Sequence, residues 1–443
     1  MLGRTPGRDP APGLDPVQHG GTIMPPDDQQ RDRAASPAEK LPGGMQLTAM
    51  DPAFRDCPHV SLDRLRSAAP VYDDRQFGRW FLTRFEDIKA VVSDRTLSVD
   101  PRKTLPDSFS RRLIIGDAPV ETVALSMLHL DDPDHKRIRG LVTQAFNQRA
   151  VDAAEPRMLA IAARLLDAVA GRDGFDVIAD YAAPLPIMVI AQMLGVDDAD
   201  LALFKRWSDA QAQSFNPART PEQSAALNEA RQALNDYFQR MIAYRRETPG
   251  RDIISGLVAA QADGDRLSER EIVITCNLLL VAGNLTTTDL IGNAVLALLR
   301  HPAELAKLRA RPALLAQAIE EVLRFDPPVA QTTRIATSAL AIGEAAVQPG
   351  QAMTVSLLAA SHDPSLHDDP HRFDIERADT THLAFGGGVH YCLGAPLARA
   401  EARVAVAELL RRCPALRLDP AHEVARKRAP VFNGVEALWV RVD

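Results

Sequence analysis

The chain has 443 residues, 46% hydrophobic and 25% charged, with a formal charge of −7 at pH 7. That acidic balance argues against a general nucleic-acid binder. Four scattered cysteines, Cys57, Cys276, Cys392 and Cys413, make no disulfide framework, no CxxC zinc spacing and no CxxCH for covalent haem attachment.

Residues 1–45 hold eight prolines, seven glycines and no aromatic residue. Such a segment buries too little apolar surface to offset its ordering entropy and reads as a disordered tail, with residues 46–443 as one domain. No apolar run follows Arg4 and Pro6, so no signal peptide is expected. The apolar stretch Tyr181–Leu194 is too short to span a bilayer and contains Pro184 and Pro186. A soluble, cytoplasmic protein in a reducing compartment is expected, without nucleic-acid or membrane partners.

Order is expected from about Asp51. Ser61–Ala69 and Phe85–Ser93 read as helices, with short strands at Val71–Tyr72 and Arg79–Thr83 between them. Residues 100–130 have no sustained period but carry Phe109, Ile114, Val120 and Leu128, and read as either an apolar binding loop or a poorly ordered one. In the next segment His135 and Arg139 lie four apart on one helix face. Lys136, Arg137, Arg139 and Arg149 there meet no acid, which suits a solvated face or an anion grip. Helices follow at 153–170, 177–194, 198–213 and 221–247. Phe204, Trp207 and Phe215 read as core.

Residues 268–300 form the longest helical pattern, opened by a Ser268/Glu271 capping box. The pattern is apolar on all sides near its centre and is then interrupted by Gly283, Asn284, Leu285 and three threonines, Thr286–Thr288. That interruption reads equally as a kink with back-bonded hydroxyls or as a polar notch for a ligand. Glu321 and Arg324 are i, i+3 on the following helix. A small sheet is expected over 340–355 and a coil over 361–382, which contains Arg377.

The ten residues FGGGVHYCLG, Phe385–Gly394, place Cys392 after three glycines and just ahead of a helical run, Ala395–Arg411. The helix start favours a thiolate there. By itself the arrangement suits a nucleophile, a metal ligand or a buried thiol in a tight turn.

Taken together, these segments resemble the cytochrome P-450 family, of the soluble bacterial kind, over residues 46–443. The loop matches Phe-x-x-Gly-x-(Arg or His)-x-Cys-x-Gly at Phe385, Gly388, His390, Cys392 and Gly394. Glu321 and Arg324 match Glu-x-x-Arg, with Arg377 as a third member of that cluster. AGNLTT at 282–287 resembles the oxygen-binding helix motif, and DPDHKRIR at 132–139 the propionate-binding helix.

The resemblance implies a mainly α fold with small β-sheets (α+β), a triangular helix-rich domain holding haem b between the long helix and the cysteine loop. It implies Cys392 as proximal thiolate and metal ligand, and His135, Arg139, Arg334 and His390 as propionate partners. Ala282, Phe385, Gly386 and Gly394 would lie against the haem, and Thr286 would hydrogen-bond bound oxygen as the catalytic residue. The implied activity is monooxygenation of an apolar small or medium molecule by O2. The implied electron source is an external ferredoxin-type protein with an NAD(P)H-dependent reductase, serving a monomer. The basic residues of 135–149 and 396–428 would dock that donor. Substrate-facing segments would be 100–130, 204–222, 279–286, 329–333 and 431–435.

Two departures from the family pattern stand out. Leu285 occupies the position of the usual acid, so a water chain organised by Thr286, with Asn284, is expected to deliver protons. Ser361-His362 replaces the usual Asn-Arg, with only a structural effect expected. Alternatives are a peroxide-driven haem-thiolate enzyme, a non-catalytic haem protein and a non-haem cysteine enzyme.

Overall fold

The structure is a computed structural model that describes residues 41–116, 123–216, 219–262 and 267–443. Most of the expected tail, residues 1–40, lies outside the described residues. Folded chain begins before Asp51: Gly44–Leu47 form a 3-10 turn whose Gly44 N–H donates to Asp74 Oδ1 at 2.8 Å, and Leu47 is buried. Residues 41–443 form one compact unit.

Two short helices, α1 (Pro52–Asp56) and α2 (Pro58–Ala68), precede strands β1 (Val71–Asp74) and β2 (Arg79–Leu82) and helix α3 (Phe85–Ser93). Helices α4 (Phe109–Ile114), α5 (Asp134–Val142) and α6 (Gln148–Val169) follow, then β3 (Gly174–Asp176). The middle of the chain is helical: α7 (Pro184–Leu194), α8 (Leu201–Ala212), α9 (Pro221–Glu247), α10 (Ile253–Ala262) and α11 (Glu269–Arg300). Next come α12 (Pro302–Ala310), α13 (Leu315–Phe325) and strands β4 (Gln331–Ile335), β5 (Leu340–Ile342), β6 (Ala345–Val347) and β7 (Ala352–Ser356). The chain closes with α14 (Leu357–Ser361), α15 (Ala395–Arg412), β8 (Arg417–Leu418) and β9 (Trp439–Arg441).

The larger sheet runs β1-β2-β7-β4, with β2 parallel and β4 antiparallel to β7. Its register sets Arg334 of β4 opposite Met353 of β7. A second sheet, β3-β9-β8, joins the C-terminus to the strand ahead of α7, and β5-β6 is a hairpin.

Helix α11 is the axis on which the site is built. It packs on α7, α8, α9, α13 and α15. The expected capping box is present: Glu271 N–H donates to Ser268 Oγ, and Ser268 N–H donates to Glu271 Oε2. By length and composition α11, rather than Tyr181–Leu194, could cross a membrane; its apolar faces are instead half buried inside the fold. The helix is continuous through Gly283. The hydroxyls are nonetheless back-bonded, Thr286 Oγ1 donating to the Ala282 carbonyl at 2.9 Å.

The expected loop of 100–130 is partly regular. Pro101–Lys103 is a 3-10 turn, and α4 brings Phe109 face to face with Phe77, ring centroids 4.0 Å apart; residues 117–122, with Val120, lie outside the described residues. Six residues are too few to show a helical period. Helix α10 escaped notice because a ten-residue apolar run cannot be told from a strand by period alone.

Candidate active site

A cavity of about 430 Å³ opens between α11 on one side and the loop ahead of α15 on the other. It gathers residues from segments far apart in the chain. Thr286, Ala282 and Gly283 come from α11, and Phe385, Gly386, His390, Cys392 and Gly394 from the loop. His135 and Arg139 come from α5 and Arg334 from β4. These eleven residues, all singled out in the sequence, therefore line one space.

Cys392 is fixed by its backbone, whose N–H donates to the Phe385 carbonyl at 2.9 Å. The three glycines divide their tasks. A Cβ on Gly388, which has φ +65°, would stand 2.6 Å from the Val92 carbonyl oxygen, and one on Gly387 would stand 2.7 Å from Val92 Cγ2. Those two seat the loop on the end of α3. Gly386, at φ +69°, meets nothing within 4 Å and leaves the cavity floor flat. The thiol does not behave as the helix start alone suggests. Burial raises its pKa and outweighs the Gly394 and Ala395 N–H groups and the Arg139 and Arg399 guanidinium charges.

Behind the loop, Arg399 lies 4.5 Å from the Phe385 ring centroid and forks onto Glu320 at 2.6 and 2.8 Å. Burial works to raise the Glu320 carboxyl, but Arg399 and His382 overcome it and hold it down at about 2. Sequence inspection missed this clamp, because its partners lie 79 residues apart.

The cavity wall carries six basic side chains, Arg79, His129, His135, Arg139, Arg334 and His390, and no Asp or Glu among the described residues. Arg79 is neutralised by Asp74 at 2.9 Å, and His135 Nδ1 lies 3.2 Å from Asp132. Arg139 and Arg334 have only carbonyl acceptors, Arg139 on Tyr391 at 2.6 Å and Arg334 on Thr333 at 3.0 Å. Burial pushes the Arg334 guanidinium down to about 10. Burial, then His135 and Arg334, push His390 down to about 3, its ring 4.1 Å from that of His135. A buried guanidinium, Arg334, beside a half-buried one, Arg139, neither with a carboxylate in ion-pair range among the described residues, makes a site for a guest's anions. A flat cofactor with two carboxylates, such as haem, fits this cluster, the open floor at Gly386 and the thiol of Cys392.

Much of the remaining lining is apolar, with Val99, Leu113, Ile114, Leu278 and Val329 among its residues. Some expected contributors are absent from it. Among the described residues, no side chain from 204–222 lines the cavity, and of 431–435 only Val431 does. Phe204 is fully buried and packs edge-on to Tyr237 at 4.8 Å, a core contact. Leu285 and Asn284 do not reach the cavity either. The Asn284 amide donates to Ser208 Oγ at 2.7 Å and its oxygen faces Thr288 at 3.3 Å, which removes it from any water chain beside Thr286.

Glu321, Arg324 and Arg377 come together as expected. Arg324 forks onto Glu321 at 2.7 and 2.9 Å with both side chains wholly buried, and Arg377 Nε lies 3.3 Å from the same carboxylate. The basic stretch 396–428 is less positive than its composition suggests. Arg399, Arg411, Arg412, Arg417, Arg426 and Lys427 are each paired with a carboxylate.

A family model described as Cytochrome P450 matches residues 106–430. The chain is 40% identical over 402 residues to Cytochrome P450 107B1 of Saccharopolyspora erythraea, covering 89% of this chain and 97% of that protein. It is 38% identical over 408 residues to 6-deoxyerythronolide B hydroxylase of the same organism, covering 90% and 100%. The crystal structure of Mycobacterium smegmatis CYP164A2 superimposes with a TM-score of 0.80 at 40% identity, covering 89% of this chain and 98% of that one.

Proposed function

The chain belongs to the cytochrome P450 family of haem-thiolate monooxygenases, and from that premise we propose that it oxidises an apolar, macrolide-like organic molecule with electrons from an external ferredoxin-type donor. The observation that carries this reading is the cavity lining, largely apolar and without a carboxylate among the described residues. A compact apolar molecule gains by burial there, whereas a charged one would lose its hydration without a partner. The relative named for hydroxylating 6-deoxyerythronolide B supports the size class. Titrating the holoenzyme with 6-deoxyerythronolide B, a steroid, a fatty acid and a terpenoid, and following the Soret band, tests it. The macrolide is expected to shift the band at the lowest concentration. A shift with charged compounds only would sink the reading.

In this proposal Cys392 ligates the haem iron, while His135, Arg139, Arg334 and His390 hold the two propionates. Phe385, Gly386, Gly394, Ala282 and Thr286, which line the same cavity, would lie against the cofactor. Thiolate-ligated haem supplies O2 activation and transfer of one oxygen atom to the substrate.

Thr286 has its own proton engaged with the Ala282 carbonyl, so its oxygen lone pairs remain for a donor in the cavity. It could thus accept a hydrogen bond from a water in the cavity without Leu285 or Asn284. Thr286→Ala is expected to raise the hydrogen peroxide released per NAD(P)H consumed by roughly tenfold, the share of a positioned proton donor or acceptor being about 10²–10⁴ at most. Unchanged coupling would remove Thr286 from proton delivery.

The donor's docking face centres in this reading on Lys136 and Arg149. Both are exposed, and neither has a carboxylate in ion-pair range among the described residues. Helix α5, which carries Lys136, touches the cysteine loop through Arg139 and Tyr391. Lys136→Glu combined with Arg149→Glu is expected to raise KM for an acidic ferredoxin several-fold and flatten its salt dependence, with kcat unchanged. An unaltered KM would place docking elsewhere. Four unpaired cysteines, Cys57 among them exposed, support a cytoplasmic setting; recovery of the protein in the membrane or secreted fraction would contradict it.

A further inference from the structure

On the face of the molecule where α2 meets the end of α14, three histidines converge. His59 is the second residue of α2, His362 caps α14 and His371 lies in the coil that follows. A ring nitrogen of each lies within 4.8 Å of one from each of the others. The ring centroids are 3.8 Å apart for His59 and His362, and 5.1 Å for each pair involving His371.

We propose that His59, His362 and His371 form a zinc-class divalent metal site, separate from the haem cavity. His362 is fully buried, and its Nδ1 lies 3.2 Å from the Leu358 carbonyl. Nδ1 must donate there, so the lone pair sits on Nε2, which is buried with no partner. His59 Nδ1 is likewise buried and unpartnered. Two orphaned imidazole nitrogens within one histidine cluster are each unfavourable unless something supplies the missing partner. His371 is oriented by Asp63, whose Oδ2 stands 2.9 Å from His371 Nε2, which leaves Nδ1 to ligate. A ring nitrogen held by a carbonyl or carboxylate while the other binds is the usual support of a histidine ligand.

Imidazole ligands suit zinc, copper and nickel. With zinc–nitrogen bonds of about 2.0–2.1 Å the nitrogens would sit about 3.4 Å apart, within reach of ring rotation from the observed spacing. Three nitrogens leave a fourth position for water. The charges that face the site are Asp63 and Asp326, against Arg66 and Arg324. Arg66 is paired with Asp63 and Arg324 with Glu321, so neither confronts the metal as a free cation.

The test uses untagged holoenzyme, stripped with chelator, dialysed against micromolar zinc chloride and analysed for zinc per chain. The wild type is expected to retain one zinc and to melt a few degrees higher with it. His371→Ala, altering a half-exposed ring, is expected to keep the haem spectrum and lose both the zinc and the shift, as is His59→Gln. No zinc on the wild type, or the same zinc on both variants, would overturn the site.

Discussion

Replacing Arg324 with leucine is expected to destabilise the fold by about 3–5 kcal/mol, the loss typical when one member of a buried ion pair is removed. Glu321 would be left fully buried with only Arg377 Nε at 3.3 Å and the Asp374 N–H at 2.9 Å. The carbonyls of Ser361 and Pro370, which Arg324 satisfies at 3.0 and 2.8 Å, would lose that donor, while the Arg372 carbonyl would keep only its bond from Arg377 at 2.8 Å. Arg324 thus ties α13 to the end of α14 and to the coil that leads into the cysteine loop. Against a total stability of about 5–15 kcal/mol, this loss is large enough to reduce the yield of folded protein. Urea melts followed by tryptophan fluorescence check it. Lys205→Ala, which breaks an exposed pair with Asp209 at 2.9 Å, is the control and is expected to move stability by about 0.5 kcal/mol or less. A loss from Arg324→Leu no larger than the control's would contradict the role given to the cluster.

Cys392→Ser is expected to bring monooxygenase turnover to background while leaving the chain folded. Serine keeps the size and the backbone bond to Phe385 but supplies no thiolate at neutral pH. The cationic cluster is untouched, so haem still enters, at reduced occupancy. Turnover with a chemical or protein reductant, set against haem content per chain, separates the two effects. Because burial raises the thiol's pKa, the free chain holds Cys392 as a thiol, and metal coordination must displace that proton. Retained turnover in the serine variant would remove Cys392 from the chemistry.

The local features of the site were legible in the sequence, and their meeting was not. The glycine loop, the capping box of α11, the basic run of α5 and the Glu321/Arg324 spacing each follow from short-range rules. Their convergence on one cavity depends on contacts between residues hundreds of positions apart, such as Arg139 with Tyr391. That juxtaposition was reached through resemblance. The same limit explains the misses. Arg79 belongs to the cavity because β2 pairs with β7, and Asn284 leaves it because α8 lies against α11. The interruption of α11 carried both of its readings at once: its hydroxyls are back-bonded, and Ala282, Gly283 and Thr286 still face open space. Nothing in a linear chain brings His362 to His59 and His371, so their cluster could not be read from the sequence.

The difference spectrum of the reduced holoenzyme with and without carbon monoxide tests the central claim most directly. With Cys392 as the thiolate ligand, carbon monoxide is expected to give a red-shifted Soret band in the wild type and not in Cys392→Ser. A folded, haem-replete wild-type protein whose carbon monoxide complex shows no red shift would contradict thiolate ligation and, with it, the function proposed.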